Sequence, residues 1–67
     1  MKLITKEIER DGHLRAAYYK FMFDGSPKMV VSRKSAASLR PEEAEMIARQ
    51  LNQMFGGGFE VVDADGA

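Results

Sequence analysis

The chain has 67 residues, 45% hydrophobic and 30% charged, with ten Lys/Arg against ten Asp/Glu and no cysteine. That length allows one domain with a small core, and the composition excludes a disordered chain, a disulfide framework and a thiolate metal site. No apolar run approaches the roughly 18 residues of a membrane span and the N-terminus lacks a signal-peptide core, so the chain reads as soluble, cytoplasmic and complete from Met1.

The elements follow in order. Asp11-Gly12 is a two-residue hairpin signal, because a type I′ turn needs φ > 0 at both central positions. It joins a strand at about 2–10 to one at about 14–23, and the second holds four of the six aromatic residues. A two-residue turn pairs Ile8 with Arg15, Lys6 with Ala17, Ile4 with Tyr19 and Lys2 with Phe21. Those residues, with Phe23, form the expected core face. Leu3, Thr5, Glu7 and Glu9 share the other face with Leu14, Ala16, Tyr18, Lys20 and Met22. Asp24-Gly25-Ser26-Pro27 is a second turn, leading to a third strand over Met29–Arg33 whose register stays open.

The helix follows, with Ser38 or Arg40 as N-cap, Pro41 in the first turn, and Glu42, Glu43 and Glu45 at the positive end of the dipole. Ala44, Ile47, Ala48, Leu51 and Phe55 make its apolar stripe, and Glu45 and Arg49 have ion-pair spacing. Gly56 is the expected C-cap, and Gly57-Gly58 turn the chain into a last strand, Phe59–Val62. The order predicts the α+β class: a small antiparallel sheet, β-β-β-α-β, with one helix packed across one face. Residues 1–62 form the domain and 63–67 a mobile acidic tail.

Charge divides along the chain. Residues 1–40 carry nine Lys/Arg against four Asp/Glu, and residues 41–67 carry Arg49 against six acids. This predicts a dipolar molecule with one basic surface, suited to acidic groups on a protein or on nucleic acid.

Catalysis finds no support. Nucleophilic chemistry needs a nucleophile, a base and an orienting group, and the sole histidine, His13, falls at a hairpin tip. Asp63-Ala64-Asp65-Gly66 resembles the opening of a calcium loop, but the chain ends before such a loop could close. Gly56-Gly57-Gly58 follows a helix, whereas phosphate loops precede one. No catalytic residue, metal ligand or cofactor is assigned.

Three surfaces exceed what the fold requires. Tyr18, Lys20 and Met22, with Leu3, lie on the sheet face away from the expected core. Arg33 and Lys34 belong to the basic third strand. Glu42, Met46 and Arg49, beside Gln53, lie on the outer helix face. These eight residues, Leu3 and Gln53 aside, are the expected partner-binding set. A nucleic-acid partner would instead use Arg15, Lys20, Lys28, Arg33 and Lys34. A homodimer is the third arrangement, since dimerisation stabilises small domains.

In topology, residues 1–55 resemble the sheet-reading DNA-binding domains of phage integrases and the plant AP2 domain, without their Trp/Arg-rich strands. In size and organisation the chain is similar to small phage-encoded inhibitors of host defence, anti-CRISPR proteins among them. That resemblance implies a stoichiometric inhibitor that occludes a surface on a host nuclease or surveillance complex, with the acidic Glu42, Glu43 and Glu45 available to a basic groove.

Overall fold

Two Asp-Gly dipeptides frame the sheet. In the computed structural model, which describes residues 1–65, φ is 54° and 79° at Asp11 and Gly12, and 52° and 79° at Asp24 and Gly25. Positive φ at both central positions gives a turn whose twist matches the strands it joins. The turns connect β1 (Lys2–Arg10) to β2 (His13–Phe23), and β2 to β3 (Ser26–Val30). The third strand therefore starts earlier than expected, includes Pro27, and ends before Arg33, which lies in a 3₁₀ turn, Arg33–Ser35. Then come α1 (Pro41–Phe55) and β4 (Glu60–Asp63). The expected α+β fold is present, as a four-stranded antiparallel sheet in the order β3-β2-β1-β4 with one helix.

The first hairpin pairs Ile8 with Arg15 and Lys6 with Ala17, as the tight turn requires. Its ladder ends at Thr5–Tyr18, so the expected pairs Ile4–Tyr19 and Lys2–Phe21 do not form. From there β1 and β2 part, and the chain approaching the helix enters the gap. The Ala37 N–H donates to the Tyr19 carbonyl at 3.0 Å, and Lys2 and Leu39 exchange N–H···O bonds of 2.6 and 2.8 Å. The inserted segment takes up part of the hydrogen bonding that the strands lose by separating, at both backbone groups of Lys2 and at the Tyr19 carbonyl.

A second departure lies between β2 and β3. Tyr18 pairs with Val30 and Tyr19 with Met29, but the next pair is Phe21 with Lys28, leaving one extra residue on β2 at Lys20. Such a bulge changes which face the following residues take. Met29 packs on the core, so Lys28 faces the other way and its partner Phe21 goes with it. Phe21 is 44% exposed and Phe23 68%. Neither joins the core face that simple alternation assigned to them.

Ala44, Ala48 and Leu51 of α1 bury against Ile4, Tyr19 and Phe59, with Met29, Ala37, Leu39, Ile47 and Val61 around them. The helix lies over β1 and β4. It leaves the far end of the β2–β3 hairpin uncovered. Arg40, one of the two expected N-cap residues, accepts the first helical bond from the Ala44 N–H at 2.8 Å. The expected Glu45–Arg49 ion pair is absent; among the described residues the ion pair is Lys2–Asp63.

Gly56 ends α1 at φ 82°, and Gly57 and Gly58 follow at 104° and 96°, where side chains beyond glycine are strained. The reversal is fastened by one side chain. Asn52 Nδ2 donates to the Phe59 carbonyl at 3.0 Å, and the Phe59 N–H donates to Asn52 Oδ1 at 2.8 Å. The carboxamide thus acts as a strand partner at the point where Phe59 enters the core. β4 runs through Asp63, one residue further than expected, and the Ala64 N–H donates to the Met1 carbonyl at 3.1 Å. The acidic tail expected to be mobile from Asp63 is held at its start, and its last residues, 66 and 67, lie outside the described residues.

Replacing Asn52 by Ala leaves both polar groups of Phe59 without this partner. We expect a loss of about 1–3 kcal/mol, read as a lower denaturant midpoint at unchanged slope.

Candidate binding surfaces

Arg33 is where the structure departs furthest from a basic strand open to partners. Its guanidinium carbon lies 5.3 Å from the centroid of the Tyr18 ring, and Nη1 donates to the Tyr18 hydroxyl at 3.4 Å. Nη2 donates to the carbonyls of Asp63 and, at 3.5 Å, Ala64. Tyr18 is on β2 and Asp63 ends β4, so the side chain crosses β1 on the face away from the helix. Leu3, which pairs with Val62 there, is only 2% exposed. Tyr18 is half-buried. Leu3, Tyr18 and Met22 therefore do not form the outward apolar patch that alternation predicts. A residue after the strand, on a 3₁₀ turn, can fold back in this way, whereas one inside β3 could not.

Arg33→Ala removes a cation–π contact and charge-assisted hydrogen bonds from a partly exposed site. The expected cost is about 1–2 kcal/mol, and near-ultraviolet circular dichroism should report the altered setting of Tyr18.

The remaining sheet candidates collect at the outer end of the β2–β3 hairpin. Lys20, Met22 and Lys28 are exposed there, alongside Phe21 and Phe23. Pairing puts Phe21 beside Lys28 and Phe23 beside Ser26, while Met22 pairs with Pro27. Phe21 and Phe23 are the functional candidates that sequence reasoning missed, because it placed them in the core. The second Asp-Gly turn sets Phe21 opposite Lys28 and Phe23 opposite Ser26, but their face is decided by the Tyr19–Met29 pairing, which the sequence alone does not give.

The single basic surface does not form. Arg33 is engaged internally, Arg15 sits opposite Ile8 towards the first turn, and Lys34 is exposed on the 3₁₀ turn. Glu7, Glu9 and Glu60 share the face away from the helix, as their positions opposite Ala16, Leu14 and Thr5 require. That face is acidic near the first turn and cationic at the far hairpin end.

Glu42, Met46 and Arg49 do come together. All three are exposed, Met46 at 54%, on the side of α1 opposite Ala44, Ala48 and Leu51. The sheet stands between them and Tyr18, Lys20 and Arg33. The eight expected partner-binding residues thus make at least two surfaces facing opposite ways.

Among the described residues, no three His, Cys, Asp or Glu side chains gather as metal ligands, and no buried side-chain polar atom lacks a hydrogen bond. No helix among them is long and apolar enough to cross a membrane. His13 is exposed at the start of β2. The Asp63 carboxyl is held below its usual range by the hydrogen bond from Lys2 and by the charge of that ammonium group. A lowered folded-state pKa contributes stability above the unfolded value, and the contribution is lost as pH falls through the folded value. Asp63→Asn should therefore cost a little at neutral pH, and its melting-temperature deficit should shrink as pH drops below about 4. The side chain is exposed, so the effect is small and screened by salt.

No protein-family model, curated protein or solved structure matches the chain.

Proposed function

We propose that this chain is a non-enzymatic protein-binding module, a small stoichiometric inhibitor or regulator that acts in the cytoplasm by covering a surface of a nucleic-acid-processing complex. The observation that carries this reading is the β2–β3 arm, where Phe21, Met22 and Phe23 are consecutively exposed on a hairpin that the helix does not cover. Adjacent large apolar side chains in solvent are a cost that a monomer has no structural reason to keep. Aromatic residues ringed by polar groups are the composition of an interface centre. Lys20 and Lys28 beside them suit an apolar cleft with an acidic rim. Occlusion of this kind needs no catalytic group. It is also the mode of action of the phage-encoded inhibitors of host defence that the chain resembles in size and organisation. The outer helix face, with Glu42, Met46 and Arg49, offers a second and separate contact.

A second reading has one specific observation in its favour. Lys28 and Phe21 share a face, with Phe23 following and Lys20 at the bulge. Stacking platforms beside cations are how single-stranded nucleic acid is held.

The test is capture of partners from a cell lysate by the wild-type protein and by a Phe21→Ser/Phe23→Ser double variant, with and without nuclease. Retention of a stoichiometric protein that survives nuclease and is lost in the variant, with the melting temperature maintained, is the expected outcome. Retention that disappears with nuclease and falls steeply with salt moves the assignment to nucleic acid. Undiminished retention by the variant removes the arm from the interface.

A further inference from the structure

One stretch of sheet edge is left open inside the molecule's own plan. Beside the two-residue turn, Arg10 and His13 form a hydrogen-bonded pair, so the even-numbered residues of β1 direct their backbone groups towards β2. Lys2 continues this phase, because it bonds Leu39 on that side. The odd-numbered residues point the other way. There Leu3 and Thr5 meet Val62 and Glu60 of β4. Glu7 and Glu9 meet no strand, because β4 begins only at Glu60, after the Gly57-Gly58 reversal swings the chain in from the helix.

A shallow groove of about 460 Å³ lies at this place, bordered by Thr5, Lys6, Glu7, Ala16, Gly58 and Glu60. Gly58, at φ 96°, borders one end of it against the Lys6 side chain, whose Cε would lie 3.3 Å from a Cβ placed there. The charges around the edge decide what can enter. The sequence Lys6-Glu7-Ile8-Glu9-Arg10 puts both glutamates on one face, with Glu60 nearby on the same face. A second copy is disfavoured. Any antiparallel register that aligns Glu7 or Glu9 with the same positions of another copy sets glutamate opposite glutamate, and like charges directly opposite destabilise a ladder.

We propose that this edge receives an extended segment of a partner protein carrying Lys or Arg at alternate positions, added as a strand beside β1. Its cations stand opposite Glu7 and Glu9. The residue between them falls on the other face, beside half-buried Ile8, and is apolar. Main-chain hydrogen bonds to Glu7 and Glu9 hold the segment and the alternating charges select it. The surface is separate from the Phe21–Phe23 arm, so either assignment can fail alone.

The test uses the full-length protein, isotopically labelled, and a short capped peptide of alternating Lys and Val. At saturation, amide exchange at Glu7 and Glu9 should slow by about tenfold or more, as for sites about nine-tenths occupied, while Glu43 on the helix is unaffected. A Glu/Val peptide should not bind. A Glu7→Lys/Glu9→Lys double variant should lose about tenfold in affinity for the Lys peptide and acquire affinity for the Glu peptide. A Lys/Val peptide methylated on its backbone nitrogens keeps its charge but cannot donate, and should fail to bind. Equal binding of the methylated peptide overturns the proposal. So does a response spread over all acidic residues without slowed exchange at Glu7 and Glu9, because both describe ionic adsorption rather than strand addition.

Discussion

The parting of β1 and β2 beyond Thr5–Tyr18 is the constraint from which the rest of this fold follows. Two strands cannot separate inside a packed domain without leaving backbone donors and acceptors that something else must meet. Here Ala37 and Leu39 meet them, and that fixes where the connection from β3 must run. Because it runs there, α1 lies over β1 and β4 rather than over the β2–β3 hairpin, and Arg33 is carried past the face opposite the helix. The end of the β2–β3 hairpin, released from β1 on one side and uncovered by the helix, becomes an arm.

How much of this was legible in the sequence varied with the range of the forces involved. The Asp-Gly turns, the Pro41 start and Gly56 stop of the helix, and the buried stripe of Ala44, Ala48 and Leu51 are local or periodic features, and each appears where its residues indicate. The strand divergence, the bulge at Lys20 and the return of Arg33 to Tyr18 depend on residues that meet only once the sheet has formed. Phe21 and Phe23 show why this matters for function. Alternation counted from the first turn buries them, whereas the second turn and the Tyr19–Met29 contact together require an extra residue, which turns them outward. Asn52 was equally invisible, since nothing in a helical polar residue announces that its amide will pair with Phe59. Of the expected site, the helix group Glu42, Met46 and Arg49 assembled as helical spacing implies, and the sheet group was redistributed.

Charge followed the same rule. A total counted along the chain says how many cations precede residue 40, but strands send neighbouring residues to opposite faces and turns bring distant ones together. Glu7 and Glu9 belong to the basic half of the sequence and meet Glu60 from the acidic half on one face. Arg33, from the basic half, reaches carbonyls at the end of β4. The molecule is therefore polarised along its sheet rather than between its two halves.

The Asn52 and Arg33 contacts have a joint consequence for assembly. The outward-pointing backbone positions along β4 are Phe59, Val61 and Asp63. The carboxamide of Asn52 occupies both groups of Phe59, and Arg33 takes the carbonyl of Asp63. Only Val61 offers a donor and acceptor together. At the opposite end of the sheet β3 is five residues long, and Pro27 has no N–H to give. Neither end presents the run of free donors and acceptors on which identical chains stack into fibrils. In a 67-residue chain rich in strand, with Phe and Met in solvent, these two edges are in this way poor templates for a second copy. At the remaining open stretch of β1 the like charges of Glu7 and Glu9 discourage one instead.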